Sequence, residues 1–118
     1  FLLEGPRSNV QEILAGYDMA VFPSEKEGLP VALLEKMAAG MPVVASDIPE
    51  IKNVIQDPEE ALLFPVNDAA ACAAQLYRLM QDQQLRIKIG ATGRKAVENR
   101  YAASLADRYA AFYKKLFE

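Results

Sequence analysis

The 118-residue chain is 52 % hydrophobic and 25 % charged, which suits one compact domain with a sizeable core and leaves no room for two. Thirteen Lys and Arg against sixteen Asp and Glu give a net charge of −3, with the signs interspersed and no basic stripe, so nucleic acid is not an expected partner. One Cys and no His exclude, for this chain alone, an internal disulfide, a Cys-rich zinc site, a Ser-His-Asp hydrolase and a His-ligated metal centre.

Phe1 to Leu3 is a short apolar run stopped by Gly5-Pro6 and reads as a strand, although the run opens abruptly at Phe rather than Met. That start suggests a fragment of a longer, reduced, cytoplasmic protein. No apolar run approaches the ~20 residues needed to span a bilayer. Ser8 can cap a helix over residues 9–15, with Val10, Ile13 and Leu14 on one face and Gly16 past its end. Met19 to Phe22 reads as a second buried strand, stopped by Pro23-Ser24. Pro30 suits a helix start, and Val31, Leu34, Met37 and Ala38 recur at helical spacing until Gly40.

Pro42 to Ser46 is a β-branched buried strand, and Ala61 to Pro65 is a fourth. Asn67 or Asp68 caps a helix carrying Cys72, Leu76, Leu79 and Met80, and another helix covers roughly Gln84 to Asn99. A last helix, about 103–117, puts Leu105, Tyr109, Phe112, Tyr113 and Leu116 on one stripe. Continuously apolar strands separated by helices predict a parallel sheet covered on both faces, part of a doubly wound α/β domain over residues 1–118. Met19–Phe22, Val43–Ala45 and Leu62–Phe64 should form its core, with Val43–Ala45 central.

Ligands of such a sheet lie beyond the carboxyl ends of the strands, so the loops after Pro23, Ser46 and Pro65 matter most. The first reads Ser24-Glu-Lys-Glu27-Gly-Leu-Pro-Val-Ala-Leu-Leu-Glu35. Ser24 and Glu27 match a capping box, but that box needs a helix from Glu25, and Gly28 and Pro30 would fall in its second turn. We therefore place Glu27 outside a helix starting near Pro30. The amides of Gly28, Leu29 and Val31 would then face outward at the positive end of the helix dipole, where Gly28 lets an anion approach the backbone.

Glu35 lies about 40° around the helix from Val31 and is flanked by Ala38 and Ala39, while Lys36 should hold the solvent side. A plain surface glutamate beside small alanines is the alternative to a ligand-binding carboxylate. At ~1.5 Å per residue, Glu27 and Glu35 stand roughly 10 Å apart with the anion site between them. A sugar, two phosphates and a ribose have about that span. Ionised carboxylates only accept hydrogen bonds, so each suits hydroxyl donors and neither suits phosphate.

Phe22-Pro-Ser24, Glu27-Gly-Leu-Pro30, Leu34-Glu35-Lys-Met-Ala38, Gly40-Met-Pro-Val-Val-Ala-Ser-Asp47, Pro49-Glu50 and Leu62-Leu-Phe-Pro65 with Asp68 resemble, in that order, glycosyltransferase family 4. These are retaining group 1 glycosyltransferases of the GT-B fold. The resemblance covers nearly the whole chain, and Glu27-x7-Glu35 matches the family's paired-glutamate motif. It implies the C-terminal, donor-binding domain of a hexosyltransferase that takes a nucleoside-diphosphate-sugar. Glu27 would hold donor-sugar hydroxyls as the catalytic residue, and the Gly28 and Leu29 amides would hold the diphosphate. Glu35 would take the ribose hydroxyls, with Ser24, Pro30 and Val31 completing the donor-binding set.

No metal or other cofactor is expected, because there is neither a His nor an Asp-x-Asp cluster. By the same resemblance the chain lacks two strands of its sheet, the basic residues those strands would bring to the diphosphate, and the N-terminal acceptor domain. The helix near 103–117 would pack toward that missing domain. The remaining expected partners are a membrane surface touched peripherally by the parent and other copies of the fragment paired through the orphaned first strand. Asp57-Pro-Glu-Glu-Ala61 stands where the family carries glycines, and Asp47-Ile-Pro-Glu50 replaces a Gly-Gly turn while still offering amides and Glu50. The alternative function is a truncated or degenerate, non-catalytic Rossmann-like module kept for packing or partner binding, and the fragment alone is expected to be inactive.

Overall fold

The computed structural model describes residues 3, 5–9, 16–28 and 30–101. In chain order these carry β1 (Ala20–Phe22), α1 (Val31–Ala38), β2 (Val43–Ser46), α2 (Pro49–Val54), β3 (Leu62–Phe64), α3 (Ala69–Gln81) and α4 (Gln83–Tyr101). The strands form a parallel sheet in the order β1-β2-β3, with Val21 opposite Val44 and Ala45 opposite Leu63. β2 is central, as its unbroken apolar sequence requires, and all four of its residues are buried. The strands expected at 19–22, 42–46 and 61–65 are thus found, the first two starting one residue later and the third trimmed by one residue at each end. The strand expected at Phe1–Leu3 and the helices expected over 9–15 and 103–117 fall mainly or wholly outside the described residues.

Helices cover both faces. Ala20, Phe22, Val43 and Ala45 point to a core shared with Leu33, Leu34 and Met37 of α1, Ile51 and Val54 of α2, and Val97 of α4. Val44, Leu62 and Phe64 point the other way, onto Leu79 of α3 and Ile89 of α4. This division follows the two-residue period of a strand. The crossover helices α1 and α2 therefore share one face, and α3 covers the other.

α4 lies across the amino ends of the strands. Its Gly90 faces the Gly40 turn that leads into β2, and a Cβ there would overlap the Gly40 carbonyl oxygen. At Gly93 a Cβ would come within 2.9 Å of the Glu60 carbonyl oxygen, just before β3. The loops at the opposite, carboxyl ends are left uncovered by α4.

α2 was not expected from the sequence, which suggested a loop there. Pro49 opens it at a first-turn position, where a missing N–H costs nothing, and Ile51, Val54 and Ile55 give it one buried face. The turn expected to manage without glycine does so through Asp57. Its side chain accepts from the Glu59 amide at 2.8 Å and its carbonyl from the Glu60 amide at 3.0 Å, an Asx-type turn. Asn67 takes φ 63°, a conformation asparagine tolerates. Asp68 then caps α3 by accepting from the Ala71 amide at 2.9 Å, which settles the choice between the two residues.

Candidate functional site

The carboxyl ends of β1 and β2 are tied together by Ser46. Its hydroxyl lies 2.6 Å from the Ser24 carbonyl and 3.0 Å from the Phe22 carbonyl, and the side chain is fully buried. The bond fixes the start of the β1–α1 loop against the central strand. Ser24 in turn donates its hydroxyl to Glu27 Oε1 at 2.6 Å. No helix begins at Glu25, so this is a side-chain pair rather than a capping box, which would pair each side chain with the other residue's amide. Glu27 is half-buried and stands outside the helix, as expected.

α1 begins at Val31 with Pro30 as its N-cap, no side chain caps it, and no acidic residue occupies its first turn. Its first helical bond runs from the Leu34 amide to the Pro30 carbonyl at 3.2 Å. The amides of Val31, Ala32 and Leu33 precede that bond, so the helix start keeps donors for an anion. Gly28 is exposed, with nothing within 4 Å of where a Cβ would stand. Leu29 lies outside the described residues, so its expected amide cannot be added to the set. Pro30 is buried and Val31 half-buried.

Glu35 is half-buried one turn further on, and its carboxylate accepts no hydrogen bond among the described residues. Burial pushes its carboxyl above the usual carboxylate range, and the neighbouring Lys36 charge pulls the other way. Its oxygens are reached by solvent rather than by a protein donor, so a hydroxyl-bearing ligand could take the place of water there.

Lys36 departs from the sequence expectation. It is half-buried rather than on the solvent side, with Nζ 4.5 Å from the centroid of the Phe22 ring. Burial lowers its ammonium below the usual lysine range, while Glu35 and Glu27 act in the opposite sense. Phe22 sits at the end of β1 and draws the lysine stem inward, a cation–π placement that helical periodicity alone does not reveal.

The loop after β2 keeps part of what was expected of it. The Asp47 amide is spent on the Phe64 carbonyl at 2.8 Å and the Ile48 amide on Ser46 at 3.0 Å. The Asp47 side chain is paired with Lys52 at 2.9 Å. Half-buried Glu50 remains, and so do the Glu50 and Ile51 amides, which precede the first bond of α2, from the Lys52 amide to the Ile48 carbonyl at 3.0 Å. A cleft of about 420 Å³ lies elsewhere, at the outer edge of β3 between Leu63, Gln75, Lys88 and Ile89. The candidate site is therefore the open surface formed by Ser24, Glu27, Gly28, the start of α1, Glu35 and Lys36.

Comparison with known proteins bears on this arrangement. The family model described as glycosyl transferases group 1 matches residues 1–96. The N-acetyl-alpha-D-glucosaminyl L-malate synthase of Bacillus anthracis is 32 % identical over 113 residues, which are 95 % of this chain and 30 % of that protein. A sucrose-phosphate synthase from Thermosynechococcus elongatus is similar with a TM-score of 0.72 at 30 % identity, over 89 % of this chain and 27 % of that one. The C-terminal domain of LpcC, a glycosyl transferase group 1 family protein from Francisella tularensis, gives a TM-score of 0.74 at 27 % identity, over 86 % and 52 %. The chain spans less than a third of the length of the curated relatives that resemble it along most of its length. With most of its residues matched by the family model and its α/β parallel sheet shared with GT-B glycosyltransferases, the chain belongs to the glycosyl transferases group 1 family.

Proposed function

We propose that this chain is the C-terminal, donor-binding part of a retaining glycosyltransferase of family 4, which transfers a hexose from a nucleoside-diphosphate-sugar. The observation that carries the reading is the pair of half-buried carboxylates, Glu27 and Glu35, placed before and after an uncapped helix start. Glu27, held by Ser24 at 2.6 Å, keeps its second oxygen for a sugar hydroxyl and acts at the reacting sugar. The Gly28, Val31 and Ala32 amides receive the diphosphate and stabilise it as it leaves. Glu35, which has no protein donor among the described residues, takes ribose hydroxyls.

In this reading donor binding uses amides and carboxylates, without a metal. The acceptor is held by an N-terminal domain, and the match to the C-terminal domain of LpcC supports that placement. Among the described residues no helix is long and apolar enough to cross a membrane; we assign the parent to the cytoplasm, with peripheral contact to membranes. Titration of the chain with UDP, GDP and ADP, followed by calorimetry and amide chemical shifts, tests the reading. Saturable binding of one of them, with shifts centred on Gly28 to Ala32, is the expected result. No binding to any would favour a packing module instead.

A further inference from the structure

β3 is an outer strand of the sheet, and its free edge lies between two clefts. The Phe64 carbonyl accepts from the Asp47 amide on the β2 side, so alternation along the strand turns the Leu63 N–H and C=O outward. Gln75 Nε2 donates to that carbonyl at 3.0 Å, whereas the Leu63 N–H has no acceptor among the described residues. The cleft of about 420 Å³, on the α3 side, has Leu62, Leu85 and Ile89 as its apolar floor. The second, of about 470 Å³ on the α2 side, runs from Lys52 past Ile55 to Asp57. Pro58 and Leu63 line both, so the clefts meet at the strand edge.

We propose that the β3 edge docks an extended peptide segment of a partner protein, which adds a strand beside Leu63. An outward backbone N–H suits a backbone carbonyl, and clefts on both faces of the sheet suit side chains that alternate from one residue to the next, as a strand's do. The α3-side rim adds a charge preference. Arg78 is exposed there and forms no ion pair among the described residues, while Lys88 is taken by Glu59 at 3.0 Å. The segment therefore carries apolar residues for the clefts and a carboxylate for Arg78. Its own N–H replaces Gln75 at the Leu63 carbonyl. A second copy of this chain is a poorer occupant, because antiparallel pairing of two β3 edges about a two-fold axis sets the Arg78 rim against its counterpart, with Glu59 already engaged. The proposal goes beyond donor binding and does not depend on it, since the site at β1 and the start of α1 belongs to the opposite edge of the sheet.

The probe is the acetylated, amidated hexapeptide Thr-Val-Leu-Val-Asp-Thr, whose leucine and aspartate share one face when extended. Its control is the same peptide N-methylated at the leucine and at the valine after it, so that one blocked nitrogen faces β3 whichever way the strand lies. Both are titrated into the whole chain and into Arg78→Glu, with calorimetry and amide chemical shifts as readouts and circular dichroism as the folding control. Saturable binding is expected, with shifts at Leu62–Phe64 and on both walls, at residues 55–57 and at Gln75 and Arg78. Exchange of the Leu63 amide with solvent should slow roughly tenfold at saturation. The N-methylated peptide on the wild-type chain, and the unmodified peptide on Arg78→Glu, should each bind roughly tenfold more weakly.

Failure of the wild-type chain to bind the peptide overturns the proposal. So do equal affinity for the N-methylated control, shifts confined to one cleft, and unchanged affinity in Arg78→Glu. The same shifts arising with protein concentration alone would make a second copy the occupant, which overturns it as well.

Discussion

The hydroxyl of Ser46, the last residue of β2, reaches the backbone carbonyl of Ser24 at 2.6 Å, so the central strand holds the loop that carries Glu27. Ser46 is fully buried and bonds the Phe22 carbonyl as well. Ser46→Ala removes the shared donor and leaves the polar backbone around it less satisfied. A loss of about 1–3 kcal/mol in urea unfolding is expected, together with weaker donor binding as the loop loosens. Unchanged affinity in a destabilised variant would show that the bond serves the fold alone.

If the proposed function holds, Glu27→Gln and Glu35→Gln would each remove one or two charge-assisted hydrogen bonds to hydroxyls, at about 1.5–3 kcal/mol apiece. In the full-length parent, donor turnover should fall by a factor on the order of 10 to 1000 with the fold intact. Steady-state rates with circular dichroism as the folding control check this; wild-type rates for both variants would dismiss the carboxylate pair.

Glu35 also predicts a trade between stability and function. Burial, opposed by Lys36, holds its carboxyl above the usual carboxylate range, so the folded state binds this proton more tightly than the unfolded chain does. Its contribution to stability is then fully present at low pH and declines as pH rises from the ordinary carboxylate range through the raised folded value. Glu35→Gln abolishes the decline. The ligand-free variant should melt above wild type at pH 7 and level with it in acid, while binding donor less well. Thermal melts across that range, paired with one titration, suffice to check it.

Glu60 and Arg100 form a second charged centre, on the amino side of the sheet. Arg100 bonds both Glu60 carboxylate oxygens and gives the Val54 carbonyl a hydrogen bond at 2.7 Å. Glu60 Oε2 also accepts from the Gln56 amide at 3.1 Å. Glu60 is 5 % exposed, so Arg100→Met strands a buried carboxylate and should cost about 3–5 kcal/mol. The double variant Glu60→Gln with Arg100→Met should recover part of that loss. Denaturant midpoints of the three proteins give the comparison.

Gly93 packs where a Cβ would meet the Glu60 carbonyl oxygen at 2.9 Å. Both groups belong to backbone that cannot rotate away, so Gly93→Ala should destabilise by about 1–3 kcal/mol despite the better helix propensity of alanine. Gly90→Ala, facing the Gly40 carbonyl more closely, should be worse. Melting temperatures of the two variants report the order.

The sequence by itself determined the parallel sheet and the place of β2 within it, because Val43, Val44 and Ala45 are apolar in succession and a strand buried on both faces has no polar side to show. It determined the loop position of Glu27 too, since Gly28 and Pro30 forbid a helix turn there whatever surrounds them. α2 escaped it: six residues opened by a proline have too little periodicity to stand out from a loop, and burial of Ile51 and Val54 in the core cluster makes the helix. Tertiary structure alone decided that the Asp47 amide is consumed, because its acceptor, the Phe64 carbonyl, lies at the end of the neighbouring strand β3. It also decided that Lys36 turns inward: helical spacing assigns a residue to a sector of its own helix, whereas the ring that draws the ammonium in comes from a strand fourteen residues earlier. Short-range steric rules are written in the chain, and the partners of polar groups are set by which strand ends meet.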